Sequence, residues 1–556
     1  MCRGFGATAG AMLVAVLVAL LVALLGTGAA QAAPPDAGAA RAARDAGAVQ
    51  ATSPDAGAVQ ATAVAGTAER AVAVIVVPPF SPQEYADRGA VGLFVPGAGS
   101  TVSRERALAS LLAGRVVSSL VDLDGSATLQ LAATPAETTI YLALPPPGTH
   151  HNVVRYPVAI VGPGYRGLLT SDSTRIAGLV SLADIAPTAR AIEGGETQPI
   201  EARADTDAAG TLAVLDTRLR RAHDARTGAT LVLVGWLVLF GALGILLHSE
   251  LAGRAAVLVA PVALMTVLAA RALGIDDPAT VVTVLGVVTG GAAALLGLRR
   301  RMLGPAAVCF LVGFLVVLSW WPEVNALAAI GPHPDGGGRF YGVTNQVETL
   351  LLAPSLAAAA SVGAAGTAAI GVLLLVTVGW SRTGADGGGI LVVATAFGVL
   401  LAARRPARVT PARLLVAAAA VLMASLVVVG LDALLGGSSH VTDAVARGPG
   451  SLLDDLTRRL EISWAGATSA AHTAFLCLLS IGGLVWLGAR GRNRPVIVAM
   501  LAAIGASLLV NDTPVDVLGY GALGCLALTA WDETRRLSAR SVASSRLPVP
   551  PGQPAR

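Results

Sequence analysis

From residue 227 to residue 532 the chain alternates long apolar runs with short polar connections. The runs predict eleven membrane spans, at 227–247, 254–273, 279–298, 303–321, 345–362, 364–380, 388–403, 412–434, 469–488, 494–510 and 514–531. Each is near the length needed to cross about 30 Å of hydrocarbon, the shorter ones by lying less tilted or thinning the bilayer. Ahead of them the period changes. Ala71–Val77 (AVAVIVV) is a β-branched run of the kind that forms a buried parallel strand, Tyr156–Gly162 (YPVAIVG) is another, and Arg104–Leu120 between them has helical spacing. Alternation of strand and helix predicts an α/β sandwich over 71–200. The fold class is therefore an α-helical polytopic membrane protein with a small extracytoplasmic α/β domain.

The remaining segments are punctuation. Arg3, the apolar run Ala11–Leu25 and the small residues ending Ala30-Gln31-Ala32 form the three regions of a signal peptide over 1–32, an uncleaved first helix being the alternative. Residues 33–70 are rich in Ala, Gly, Pro and Asp, repeat DAGAVQAT at 45–52 and 55–62, and hold too few large apolar side chains to offset the entropy of ordering. They predict a disordered linker. A second linker is expected at 201–226, the helical domain at 227–532, and a cytoplasmic tail at 533–556.

Composition supports the membrane assignment: 54% of the 556 residues are hydrophobic, 13% are charged and the mean hydropathy is +0.69. All 39 basic residues are arginine, and the net charge is +4. They cluster between spans, at Arg254, Arg299–Arg301, Arg404 to Arg413, Arg490 to Arg494 and Arg535-Arg536, so they orient the chain in a bilayer and do not form a patch for nucleic acid. Those connections are expected to be cytoplasmic, which places the α/β domain outside the plasma membrane. Acidic and polar groups then collect on the outer side. The four cysteines lie in the leader or in apolar runs, so the exported domain has no disulfide framework.

Two stretches of the front domain carry a resemblance. Gly162–Thr188 (GPGYRGLLTSDSTRIAGLVSLADIAPT) and Ala90–Gly114 (AVGLFVPGAGSTVSRERALASLLAG) are similar to the carboxyl-terminal and nucleophile regions of the alkaline-phosphatase-like superfamily. The resemblance implies a Ser or Thr nucleophile beside two metals, which lower its pKa and neutralise the phosphoryl group. Thr101, or Ser100 beside it, stands at that position. The strand Ala71–Val77 ends in Pro78-Pro79 where a metal-binding Asp belongs, no Asp-His-Gly motif occurs, and the domain is short. The expectation is a degenerate domain that binds or docks.

The polar island between Trp320 and Leu350 holds the candidate chemistry. RFYGVTN at Arg339–Asn345, GADGG at Gly384–Gly388 and NDTP at Asn511–Pro514 resemble, in order, the RFYGxxN, GADxGG and NDSG elements of uncharacterised bacterial polytopic membrane proteins with an alkaline-phosphatase-like front half. Two positions depart: Gln346 replaces an acid, with Glu348 two residues on, and NDSG has become NDTP. Gly336–Gly338 would free a hairpin that presents Arg339 to a phosphate, since guanidinium suits bidentate contact. Tyr341, with Phe340 at interface depth, and Asn345 join Arg339 as candidate substrate-binding residues; Glu348, Asp386 and Asp512 are the candidate catalytic bases. SLLDDLTRRLEISW, within 436–468, predicts an amphipathic surface helix. His440 with Asp443 is too sparse for a metal site, no metal set is proposed, and no cofactor is indicated. Nucleotide, redox and zinc motifs are absent from the sequence, leaving three readings. The chain handles or transfers a phosphate-bearing lipid-linked envelope precursor, scaffolds envelope protein partners without catalysis, or acts as a transporter or flippase.

Overall fold

The computed structural model describes residues 71–116, 128–337, 339–404, 423, 425–432, 434, 449–491 and 494–545. The signal-peptide and first linker readings, most of the expected span at 412–434, and His440 with Asp443 lie outside the described residues.

The front domain is built on a seven-stranded mixed sheet. Its strands are β1 (Val72–Val77), β2 (Ala90–Val95), β4 (Thr138–Ala143), β6 (Tyr156–Val161), β7 (Gly167–Ser171), β8 (Leu179–Ser181) and β9 (Ile200–Arg203), while β3 (Thr101–Ser103) and β5 (Thr149–His151) form a separate ribbon. The order is β1-β4-β6-β2-β7-β9, with β8 pairing β2. The β1 run is parallel to β4, as its apolar character implies. β6 is instead antiparallel to both β4 and β2; the chain between β4 and β6 carries only the β5 ribbon strand and no crossover helix, so it returns antiparallel to β4. Helices α1 (Arg104–Ala113) and α2 (Ile185–Gly194) bury Leu111, Ile185 and Ile192 against one face. Ser103 starts α1 by accepting the Arg106 amide hydrogen, an N-cap that fixes the strand-to-helix turn.

The expected linker 201–226 is structured throughout its described length: β9 extends the sheet, and Asp207 caps a 39-residue helix, α3 (Ala208–Leu246). Leu212, Leu215 and Leu219 recur at helical spacing and are buried against Leu93 and Leu168 of the sheet and Ile176 between β7 and β8. One helix thus serves as a wall of the front domain and as the first helix of the bundle.

The bundle continues with α4 (Glu250–Ala272), α5 (Pro278–Leu298), α6 (Leu303–Trp320), α7 (Asn345–Ala360), α8 (Ala364–Gly379), α9 (Gly387–Ala402), α10 (Pro449–Thr468), α11 (Ala471–Arg490), α12 (Pro495–Val510) and α13 (Pro514–Ser545). Among the described residues, six helices are long and apolar enough to cross a membrane: α3, α4, α5, α6, α11 and α13 to Ser538. The helices at four other expected spans, α7, α8, α9 and α12, have 16 residues each, or about 24 Å at 1.5 Å per residue. α7 is buried from Gln346 to Ala359, a core helix and not a lipid-facing one. α13 continues past the expected end of its span, so the first part of the expected tail is helical.

Described arginines of these clusters gather at the end of the bundle away from the front domain. Asp532 and Glu533 pair with Arg490, Arg494, Arg535 and Arg536, while Glu250 pairs with Arg254 and Arg300. At the other end, Arg155 pairs with Asp216 of α3 at 2.6 Å. Asn152 Nδ2 donates to the carbonyls of Gly97, Gly99 and Gly336. These contacts seat the α/β domain on the polar loops of the bundle.

Candidate functional site

The stretches Arg339–Asn345, Gly384–Gly388 and Asn511–Pro514 converge, and the structure shows what they build. Arg339 donates to the carbonyl oxygens of Val343 and Ala385 and lies 3.4 Å from Asp386 Oδ2. Asp386 caps α9 through the Gly389 amide hydrogen. Glu348 is buried on the first turn of α7 and accepts from Asn511 Nδ2, with its other oxygen unpartnered. Asn345 donates to Thr513 at 2.9 Å and to the exposed Asp512 at 3.4 Å. Helix α10, the expected amphipathic element, covers this turn: Arg459 donates to the Val510 carbonyl and Ser463 to that of Asn511. The cluster knots together the start of α7, the α8–α9 turn and the α12–α13 turn.

Several expected roles change accordingly. Arg339 is not displayed on a hairpin for phosphate; its guanidinium is occupied within the knot. Gly337 before it serves close packing: it has φ +65°, and a Cβ there would lie 2.1 Å from the Gly97 carbonyl oxygen of the front domain. Phe340 is buried with Leu93 and Val95 of the sheet and Leu327 and is not exposed as expected. Tyr341 lies under the guanidinium of Arg175, 3.8 Å from its ring centroid, and Arg175 also donates to the Ser381 carbonyl. Both aromatics therefore dock the front domain, since sheet and loop close over them before a ligand could.

The open space lies beside the knot. A cleft of about 580 Å³, within the usual range for small-molecule sites, runs between the front domain and the bundle. Its polar end is lined by Ser100, Thr101 and His151 from the β3–β5 ribbon and by Arg226 and His333. Thr101, the degenerate nucleophile position, pairs with His151 across the ribbon, and so faces the cleft from the α/β side. Deeper in, Leu231 and Val234 of α3, Leu476 of α11 and Leu523 of α13 make the wall apolar. α3 and α11 both pack on α13 but share few contacts with each other, which leaves the deep part as a slot between them. None of Arg339, Asn345, Glu348, Asp386 or Asp512 lines this cleft.

The polar end is organised by one buried carboxylate. Arg226 grips Asp335 with both terminal nitrogens, at 2.6 and 3.1 Å, and His223 Nδ1 lies 2.8 Å from the same group. Burial alone would raise the Asp335 carboxyl, but the Arg226 charge and the His223 and Arg226 hydrogen bonds outweigh it and hold it well below the usual carboxylate range. Burial, reinforced by Arg226, pushes the His333 imidazole down to about 3, so the ring is neutral at pH 7. Gln346 hydrogen-bonds both that imidazole and the Tyr520 hydroxyl, the latter at 2.6 Å. Two nitrogens are left buried without a hydrogen-bond partner, Arg226 Nε and His333 Nδ1, on residues that line the cleft. Asp516 of α13 completes the polar lining near Tyr520.

Sequence reasoning missed Arg226, His333 and Asp335. The signals were the leucine spacing of 212–219, which makes the supposed linker a helix, and the sequence His333-Pro334-Asp335 inside the polar island. Among the described residues, no three His, Cys, Asp or Glu side chains cluster as metal ligands. Comparison with family models, with curated proteins and with solved structures finds no match to this chain.

Proposed function

We propose that the chain is a multi-pass plasma-membrane protein that holds a phosphate-bearing, lipid-linked envelope precursor in the cleft beneath its extracytoplasmic α/β domain. The orientation rests on the arginines, which gather at the bundle end opposite that domain, where a cytoplasmic surface would retain them. The observation that carries the reading is the cleft's division. Its polar end presents a guanidinium whose Nε is buried without an acceptor, and an apolar slot between two helices continues from it. An unsatisfied buried donor costs about 1–3 kcal/mol, a cost that an anionic oxygen would offset. A phosphate at Arg226 with its chain in the slot satisfies both halves. Thr101, Asp516 and Tyr520 are then the groups that face the bound head, and the α/β domain acts as its lid.

The test uses the purified full chain with a polyprenyl phosphate and the matching polyprenol. The phosphate is expected to bind at least about tenfold more tightly, the worth of one charge-assisted contact. Arg226→Gln combined with Asp335→Asn removes both charges together and so leaves no bare carboxylate; it should abolish the preference. Equal binding of phosphate and alcohol by the unaltered chain would overturn the reading.

A further inference from the structure

A second cavity, of about 890 Å³, opens at the end of the bundle away from the α/β domain. It lies among the starts of α4 and α6 and the ends of α7 and α13. Four arginines, Arg254, Arg300, Arg301 and Arg535, face it against a single carboxylate, Glu250. Glu250 is already shared by Arg254 at 2.8 Å and Arg300 at 2.9 Å, Arg535 reaches Asp532 at 3.4 Å, and Arg301 makes no ion pair among the described residues. Positive charge is therefore in excess. The lower wall is apolar, made by Leu303, Val308, Val362 and Ile370, while Ser361 and Ser538 add hydroxyls at the level of the arginines.

We propose that this cavity is a binding site for an anionic glycerophospholipid, its phosphate held by Arg300 and Arg301 and one acyl chain lying along α6 and α8. Three features favour a lipid over free phosphate. The cavity is far larger than one phosphate fills, half of its lining is hydrocarbon, and it sits where the ends of membrane-length helices meet their first charged residues. Arginine suits the head because its fork matches two phosphate oxygens at once. The site is separate from the front cleft, and neither depends on the other.

The experiment uses the unaltered full chain, with a Gly519→Leu chain run in parallel so that any lipid held in the front cleft is discounted. The detergent-solubilised protein is offered equal amounts of a phosphatidylglycerol and a phosphatidylcholine of the same chains, and retained lipid is counted by native mass spectrometry. Phosphatidylglycerol should be retained preferentially. Arg300→Gln with Arg301→Gln should lower its retention about 25-fold, following roughly fivefold for each arginine beside an anionic head. Arg299→Gln, a neighbouring exposed arginine that does not line the cavity, should leave it unchanged. Arg301→Gln alone breaks no ion pair and carries the test, at about fivefold, if the double variant loses its fold. Equal retention of the two lipids, or an Arg299→Gln loss matching that of the double variant, would overturn the proposal. Millimolar inorganic phosphate binding without any phosphatidylglycerol preference would overturn the lipid assignment.

Discussion

Two polar clusters share the first turn of α7, and they differ in whether they enclose space. Gln346 faces the cleft with His333 and Tyr520, whereas Glu348 faces the knot with Asn511 and Asp386. Two residues apart on a helix are about 200° apart around it, so adjacent motif positions serve opposite sides. The knot gathers the strings RFYGVTN, GADGG and NDTP, yet its groups hold three loops together. The cleft takes only Ser100 and Thr101 from a stretch that carries a resemblance, yet it has volume, an apolar extension and two unsatisfied nitrogens. A run of chemically expressive residues marks where a chain must be held, and function needs in addition a place for a ligand.

The comparison breaks most easily at Arg339. Arg339→Ala removes the guanidinium that bridges two carbonyls and leaves Asp386 nearly buried without its counter-charge, a loss of about 3 kcal/mol. Thermal unfolding in detergent should shift down by many degrees. An unchanged melting point together with lost polyprenyl phosphate binding would return Arg339 to the role its motif implies.

Acid should act on the cleft cluster first. The His333 pKa is depressed in the folded chain, to about 3 against an ordinary value near 6.5, so the unfolded state takes up a proton that the folded state refuses. The stability it contributes is complete above pH 6.5 and is lost as pH falls from there toward 3, by at most about 1.4 kcal/mol per pH unit. Asp335 loses its contribution only below the ordinary carboxylate range. Between pH 6.5 and 4, His333→Asn should therefore flatten the fall in melting temperature. A slope identical to that of the unaltered chain would show that His333 titrates freely.

The smallest effect is expected at Glu348→Gln. The amide keeps an acceptor for Asn511 and removes a carboxylate next to that of Asp386, so stability should change by under about 0.5 kcal/mol and ligand binding should not change. If Glu348 were a general base, cells carrying this variant would accumulate the unprocessed precursor.

Much of the fold was legible in the sequence, because burial imposes periods that residues display. AVAVIVV is β1, parallel to its neighbour, and the apolar runs other than 412–434, which lies mostly outside the described residues, are helices, most with ends close to those expected and α3 and α13 extending beyond them. Period alone did not separate a helix buried in the bundle from one exposed to lipid: α7, with its polar first turn, is less apolar than α6 and α8, yet protein covers it on all sides. It also failed at 201–226, where charged residues on the exposed face of α3 disguised a helix whose other face carries Leu212, Leu215 and Leu219. The site was half legible. Convergence of Arg339, Asp386 and Glu348 followed from their expected position on one face of the membrane domain, but whether they enclose a cavity depends on packing between elements distant in sequence. Arg226 and His333 meet only because the front domain seats α3 against the loop.

Gly519 provides the most direct test that the cleft is the working site. It lines the cleft on α13, nothing lies within 4 Å of where its Cβ would be, and a leucine there would occupy the space while gaining helix propensity of roughly 0.5–1 kcal/mol. Gly505 on α12 is equally open, exposed and away from the cleft, so Gly505→Leu is its control. The measurement is polyprenyl phosphate retained by the full chain, with melting temperature read on the same samples. The account predicts that Gly519→Leu loses the ligand with its melting point held or raised, while Gly505→Leu retains it. Full retention by a folded Gly519→Leu chain would contradict the account.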